Sequence, residues 1–283
     1  MLGLIAQLVS SFSFGISNVV WKSPLSRSPQ IVLILWRTVI TCALFGAILL
    51  VTGEQFVDIK MILLAWLLSS LSFGGLYFFT KALKHEDAGI VSTITSFSYL
   101  IGVLTSVFII GESIRLIHLF SLAFFIISTA LLSHSKGYFK LTKGIKYALF
   151  AALIWGTTLT LMSIPAKEIG FLQSSFITEL SIVIICLSLC LKQKSSFHLM
   201  QPLVQEFRFI VTLSILAAIG LMAMYFAFEK IETYKVVLIS SLSHMVSIVF
   251  SRLLNDEKIT LRLISAGLLA SFGIVIFVLD ELG

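Results

Sequence analysis

Few residues of this chain could carry ionic or acid–base chemistry away from its loops, and they stand inside long apolar runs. Arg37 lies about two turns into the run 31–51, and Glu179 near the start of the run 173–191. A charge at mid-bilayer depth costs about 2.5–3.5 kcal/mol on insertion scales. Such a side chain must face a bundle interior, find a counter-charge or snorkel back to water. Arg37 reads as an anion partner or a snorkelling cation. Glu179 is an acid able to carry a proton, to pair with Arg37 or a cationic solute, or to reach headgroup water. The imidazole of His244 titrates near neutral pH when unperturbed and could relay protons; the other reading is a neutral ring bonded to Ser240 or Ser241. Glu112 ends the run SFSYLIGVLTSVFIIGE and Glu257 ends SLSHMVSIVFSRLLNDE, each as an acid, a proton carrier or a helix-end marker.

Only membrane-spanning elements can position these side chains. Of 283 residues, 58% are hydrophobic and 12% charged, against about 25% charge in a soluble domain. Ten apolar runs fit, at about 3–21, 31–51, 61–80, 88–110, 114–133, 145–163, 173–191, 209–228, 235–254 and 261–279, each long enough to cross about 30 Å of hydrocarbon. Lipid cannot bond backbone amides, so the spans must be helices or a closed barrel. Barrel strands alternate in polarity, whereas these runs are continuously apolar. The expected class is an all-α integral membrane protein of ten transmembrane helices. No basic residue precedes the first run and no small-x-small site follows it, so it reads as a retained span rather than a signal peptide. The net charge of +6 is a loop property and not a nucleic-acid signal. Cys42, Cys186 and Cys190 lie in apolar runs without ligand-spaced His or acid, which reads as packing; no metal and no cofactor is expected. Trp21, Trp36, Trp66 and Trp155 default to the interfacial belt, with Trp155 the candidate cavity wall.

The chain repeats itself. A shift of 145 lays Ser96–Glu112 on Ser241–Glu257, setting Ser98 on Ser243 and Tyr99 on His244. A shift of 141 pairs Gly15 with Gly156 and Pro24 with Pro165, and a shift of 142 sets Arg37 against Glu179. The expected division is a first five-helix repeat over 1–134, a linker over 135–144 and a second repeat over 145–283. Five spans per copy is an odd number, so the second copy enters the membrane from the opposite side. Inverted repeats of this kind are typical of secondary transporters, with the substrate between the copies near mid-membrane.

On these residues the chain resembles the EamA-type branch of the drug/metabolite transporter superfamily. The likeness rests on Phe14-Gly15 with Lys22 beyond them, Trp36-Arg37, Tyr77 with Ala82-Leu83, and Gly111-Glu112. Trp155-Gly156 and Asp256-Glu257 hold the equivalent places in the second half. The resemblance implies two inverted five-helix repeats, a central cavity, and alternating access without ATP hydrolysis for a small-molecule substrate. The family usually has proline where Tyr99 and His244 stand, so spans four and nine are expected to run straighter here, with both rings reaching the cavity by their polar tips.

The expected cavity set is therefore Arg37, Glu179, Trp155, Tyr99, His244, Tyr77, Ser96, Ser98, Ser241, Ser243 and Lys22. The serine pairs either bind ligand or let helices approach closely, and Lys22 either faces the cavity or snorkels. Opposite charges at equivalent positions, Arg37 and Glu179, could host a zwitterion such as an amino acid. Glu112 and Glu257 read as boundary acids that accept the free amides of the following helix. Loops after odd-numbered spans carry fourteen Lys and Arg, those after even-numbered spans five. That bias places odd loops in the cytoplasm and both termini outside, opposite to the common orientation of the family. The expected protein is a monomer or weak homodimer in the plasma (bacterial inner) membrane, driven by protons or by its substrate's own gradient. It is not an enzyme: a membrane-embedded lipid-modifying transferase needs clustered His, Asp or Glu. A non-transporting membrane subunit is the other alternative.

Overall fold

The computed structural model describes residues 1–54, 58–113, 142–192 and 200–255, with single residues between 115 and 128 and between 261 and 276. The expected spans 114–133 and 261–279, most of the linker 135–144, and Glu257 lie wholly or largely outside the described residues. Among the described residues every regular element is a helix. Eight helices are long and apolar enough to cross a membrane: Leu2–Leu25, Gln30–Thr52, Ile59–Leu83, Ala88–Ile110, Lys143–Ile169, Phe171–Lys192, Phe207–Lys230 and Thr233–Ser251. We number them one to four and six to nine, as in the sequence.

Their ends follow local chemistry. Asp58 opens span three by accepting the amides of Lys60 and Met61 at 2.8 and 3.2 Å, and Thr142 opens span six by accepting that of Ile145, as N-caps do. Gly53 closes span two at φ 67°, a conformation that glycine adopts without strain. Leu50, Leu67, Phe150 and Leu153 are exposed on what becomes the lipid-facing surface. The interior is rich in buried Ser, Thr, Gly and Ala, the residues that let helix backbones approach closely in a bilayer.

Four spans are interrupted, at pairwise equivalent places. Span one breaks at Trp21 and span six at Met162. Pro24 and Pro165 follow three residues later in each case and cannot donate to the carbonyl four residues back. Trp21 is thus buried inside the bundle at a helix break. Spans four and nine were expected to be straighter for want of proline, yet they break at Ser96 and Ser241. The serines themselves supply the reason. Ser96 Oγ donates to the Thr93 carbonyl at 2.6 Å and Ser241 Oγ to that of Leu238 at 2.5 Å. The Tyr99 and Ser241 amides bond three residues back instead of four. Serine back-bonding of this kind tightens and bends a helix.

The halves pack as copies of one another. Span one lies on spans eight and nine, span six lies on spans three and four, and span two meets span seven. A Cβ added to Gly15 would stand 2.6 Å from the Ser243 carbonyl oxygen and 2.5 Å from Val246 Cβ. One added to Gly156 would stand 2.6 Å from the Ser98 carbonyl oxygen and from Ile101 Cβ. Ser243 and Val246 are Ser98 and Ile101 shifted by 145. Likewise the Phe14 ring covers Gly220 and the Trp155 ring covers Gly75. Spans one and six finish at opposite ends of span four. Lys22 bonds the Glu86 carbonyl and Asp87 just before span four, whereas Lys167 lies 3.6 Å from Glu112 just after it.

Candidate functional site

The interface between the halves gathers most of the chemistry. Arg37 on span two and Glu179 on span seven are both buried, and Arg37 Nη1 donates to Glu179 Oε2 at 2.9 Å and lies 2.9 Å from Oε1. Span eight holds the pair from the side: Ser214 Oγ donates to the Arg37 carbonyl at 3.0 Å, and Thr41 Oγ1 reaches the Ser214 carbonyl at 3.2 Å. Of the readings open in the sequence, the structure therefore gives mutual neutralisation of the two charges, with neither snorkelling.

Spans four and nine meet through Tyr99, whose hydroxyl lies 2.5 Å from Ser243 Oγ. His244, the next residue, is buried, with its ring against the backbone of Ser241 on its own span, the neutral-ring reading left open by the sequence. Ser96 and Ser241 use their hydroxyls on their own backbones. Ser98 packs its carbonyl against Gly156, and Trp155 lies over Gly75 with its ring 5.2 Å from that of Phe79.

Two members of the expected cavity set stand elsewhere. Lys22 sits at a helix end, its ammonium 2.7 Å from the Glu86 carbonyl oxygen and 3.2 Å from Asp87. Tyr77 lies near the same end, where the Lys81 ammonium stands 5.4 Å from its ring and 4.6 Å from that of Tyr147. These are cation–π contacts within an aromatic cluster.

Glu112 is a boundary acid whose described amide partners lie in the other half; the start of the helix that follows it lies outside the described residues. Its Oε1 accepts the Thr233 amide at 2.8 Å and its Oε2 the Tyr234 amide at 2.9 Å, so it caps span nine in the other half. The Ser106 hydroxyl also donates to it. Burial raises the Glu112 carboxyl, but the bonds from Ser106, Thr233 and Tyr234 outweigh that and hold it below the ordinary glutamate range. A depressed carboxyl stabilises the fold above its unfolded pKa, and that stability is lost as pH falls through the folded value. Glu112→Gln is therefore expected to lower stability at neutral pH by about 0.5–2 kcal/mol, the usual worth of a cap. The difference from wild type should shrink on acidification towards pH 3, read as unfolding midpoints in detergent.

Sequence reasoning missed two groups. Arg27 donates through Nε and Nη2 to the two carboxylate oxygens of buried Glu206, at 2.8 and 2.7 Å, linking the approach to span two with the start of span eight. Gln7, Ser10 and Ser11 are buried on the inner side of span one, where Gln7 Nε2 donates to Ser240 Oγ at 2.7 Å and Ser11 Oγ to the Ile239 carbonyl at 3.0 Å. Among the described residues no three His, Cys, Asp or Glu side chains gather as a metal would require.

A helical bundle of two like halves, joined through a buried ion pair and polar contacts, defines a multi-pass membrane protein with a transporter's architecture. The chain belongs to the EamA-like transporter family, which matches residues 1–134 and 142–279. A solved crystal structure shares its fold with a TM-score of 0.74 at 19% identity, covering 97% of this chain and 96% of that one. None of the curated proteins matches the sequence.

Proposed function

We propose that this protein is a secondary transporter of a small polar metabolite, with amino acids and other zwitterions in scope. It works by alternating access between two inverted five-helix repeats, ten helices in all, without ATP hydrolysis. The observation that carries the reading is the mirrored construction of the interface. Spans four and nine are broken at equivalent serines and touch through Tyr99 and Ser243, while equivalent glycines bring spans one and six onto them. Such broken, closely packed helices at a repeat interface are where transporters bind and pass their substrates. Because Arg37 and Glu179 neutralise each other, the pair suits a substrate without net charge.

The register of the repeat supports a boundary role for Glu257 like that of Glu112. The Lys and Arg bias supports an orientation with the odd loops in the cytoplasm and both termini outside, in what we take to be a bacterial inner membrane. A C-terminal reporter active only in the cytoplasm is expected to stay silent, and activity would reverse the orientation. The function is tested by reconstituting the protein in liposomes and offering amino acids, nucleosides and quaternary amines with and without a pH gradient. Saturable uptake within one class is expected. Folded protein that moves none of them would favour a non-transporting subunit.

A further inference from the structure

Two seams of the interface are built alike but differ in polarity. In one, span one lies against spans eight and nine; in the other, span six lies against spans three and four. The shift of 141 sets Gln7, Ser10 and Ser11 on Ala148, Ala151 and Ala152, and the shift of 145 sets His244 on Tyr99. All three alanines are buried, so packing at these places needs no side-chain oxygen or nitrogen. Gln7, Ser10, Ser11 and Phe14 recur at the spacing of one helix face, and the Gln7–Ser240 and Ser11–Ile239 bonds anchor that face to span nine.

The polar seam is nevertheless incomplete. Gln7 Oε1 and Ser10 Oγ have no hydrogen-bond partner among the described residues, and these side chains are 1% and 0% exposed. Lipid offers such groups nothing, and a buried polar atom left unbonded is destabilising. At the three mirror places alanine avoids that penalty, and the unpartnered hydroxyl of span six stands elsewhere along it, at Ser163. A ligand that supplies the missing bonds accounts for the difference.

We propose that the span-one seam, and not its mirror, binds the hydrogen-bonding part of the substrate. Gln7 and Ser10 contact a neutral group that both donates and accepts, a carboxamide or a hydroxyl. Gln7, Ser10, Ser11 and Ser240 carry no formal charge, and the buried charges of Arg37 and Glu179 are spent on each other. This assignment rests on the transport reading for its meaning, but its test does not need a known substrate.

The test uses cysteine labelling of the full chain with Cys42, Cys186 and Cys190 replaced by alanine. Gln7→Cys and Ser10→Cys are compared with the mirror variants Ala148→Cys and Ala151→Cys, each first checked as monodisperse in detergent. The probe is 2-aminoethyl methanethiosulfonate. Positions 7 and 10 are expected to react at least tenfold faster than 148 and 151, and L-serine, L-glutamine or uridine should slow position 10 at least twofold. Equal rates on the two seams would overturn the proposal, as would fast labelling that none of the three compounds slows, which marks a water-filled crevice only. Fast, compound-sensitive labelling in a protein without flux would remove the transport reading and leave the binding seam standing.

Discussion

Glu179→Ala is expected to abolish most folded yield, and Arg37→Ala to do nearly as much, whereas the exchange Arg37→Glu with Glu179→Arg should recover a large part of it. Both side chains are buried and share contacts at 2.9 Å. Removing one partner leaves an uncompensated charge away from water, which costs about 3–5 kcal/mol. The exchange is a fair test because a shift of 142 relates the two positions, and each sits where its own span crosses that of the other half. Replacing both by methionine should fall within about 1–2 kcal/mol of wild type or exceed it, since a buried pair stabilises little over well-packed apolar side chains. Denaturant unfolding in detergent micelles gives all four values. Near-normal stability for Glu179→Ala alone would mean that the pair does not hold spans two and seven together.

The second large effect concerns the two glycines. Gly15→Ala and Gly156→Ala should each cost about 1–3 kcal/mol, the usual penalty for forcing a methyl into a filled core. At both sites the new methyl meets a backbone carbonyl at 2.6 Å as well as a β-carbon. Neither can swing aside, so the helices must separate. Gly74→Ala is the control, because its methyl would meet only the flexible end of Ile154 at 3.3 Å and should be nearly neutral. Equal loss at the two equivalent glycines, measured as the shift of thermal unfolding in detergent, is the signature of two seams packed alike.

Much of this was legible in the sequence, because membrane insertion writes long apolar runs and a repeat writes its punctuation twice. The Gly15 and Gly156 pairing and the Arg37 and Glu179 pairing both emerge from register alone. Three features did not. The breaks in spans four and nine come from Ser96 and Ser241 bonding their own backbone, a choice that serine makes only in some helices and that missing prolines argued against. Glu112 finds its amides 121 residues downstream, and no local rule for capping reaches that far. The polar face of span one was hidden for a different reason. Repeats are found by what they share, and Gln7, Ser10 and Ser11 matter because Ala148, Ala151 and Ala152 do not share their polarity. Lys22 and Tyr77 were drawn into the cavity by family pattern, whereas their neighbours Glu86, Asp87 and Lys81 hold them at a helix end.

Alternating access is tested most directly by counterflow. Proteoliposomes are preloaded with an excess of whichever amino acid, nucleoside or quaternary amine the protein takes up, and a radiolabelled trace is added outside. The account predicts transient accumulation of label above its equilibrium level, abolished in a folded Gln7→Ala, Ser10→Ala, Ser11→Ala variant. Label that only equilibrates, at a rate indifferent to preloading and to those substitutions, would mean a pore or a leak and would contradict it.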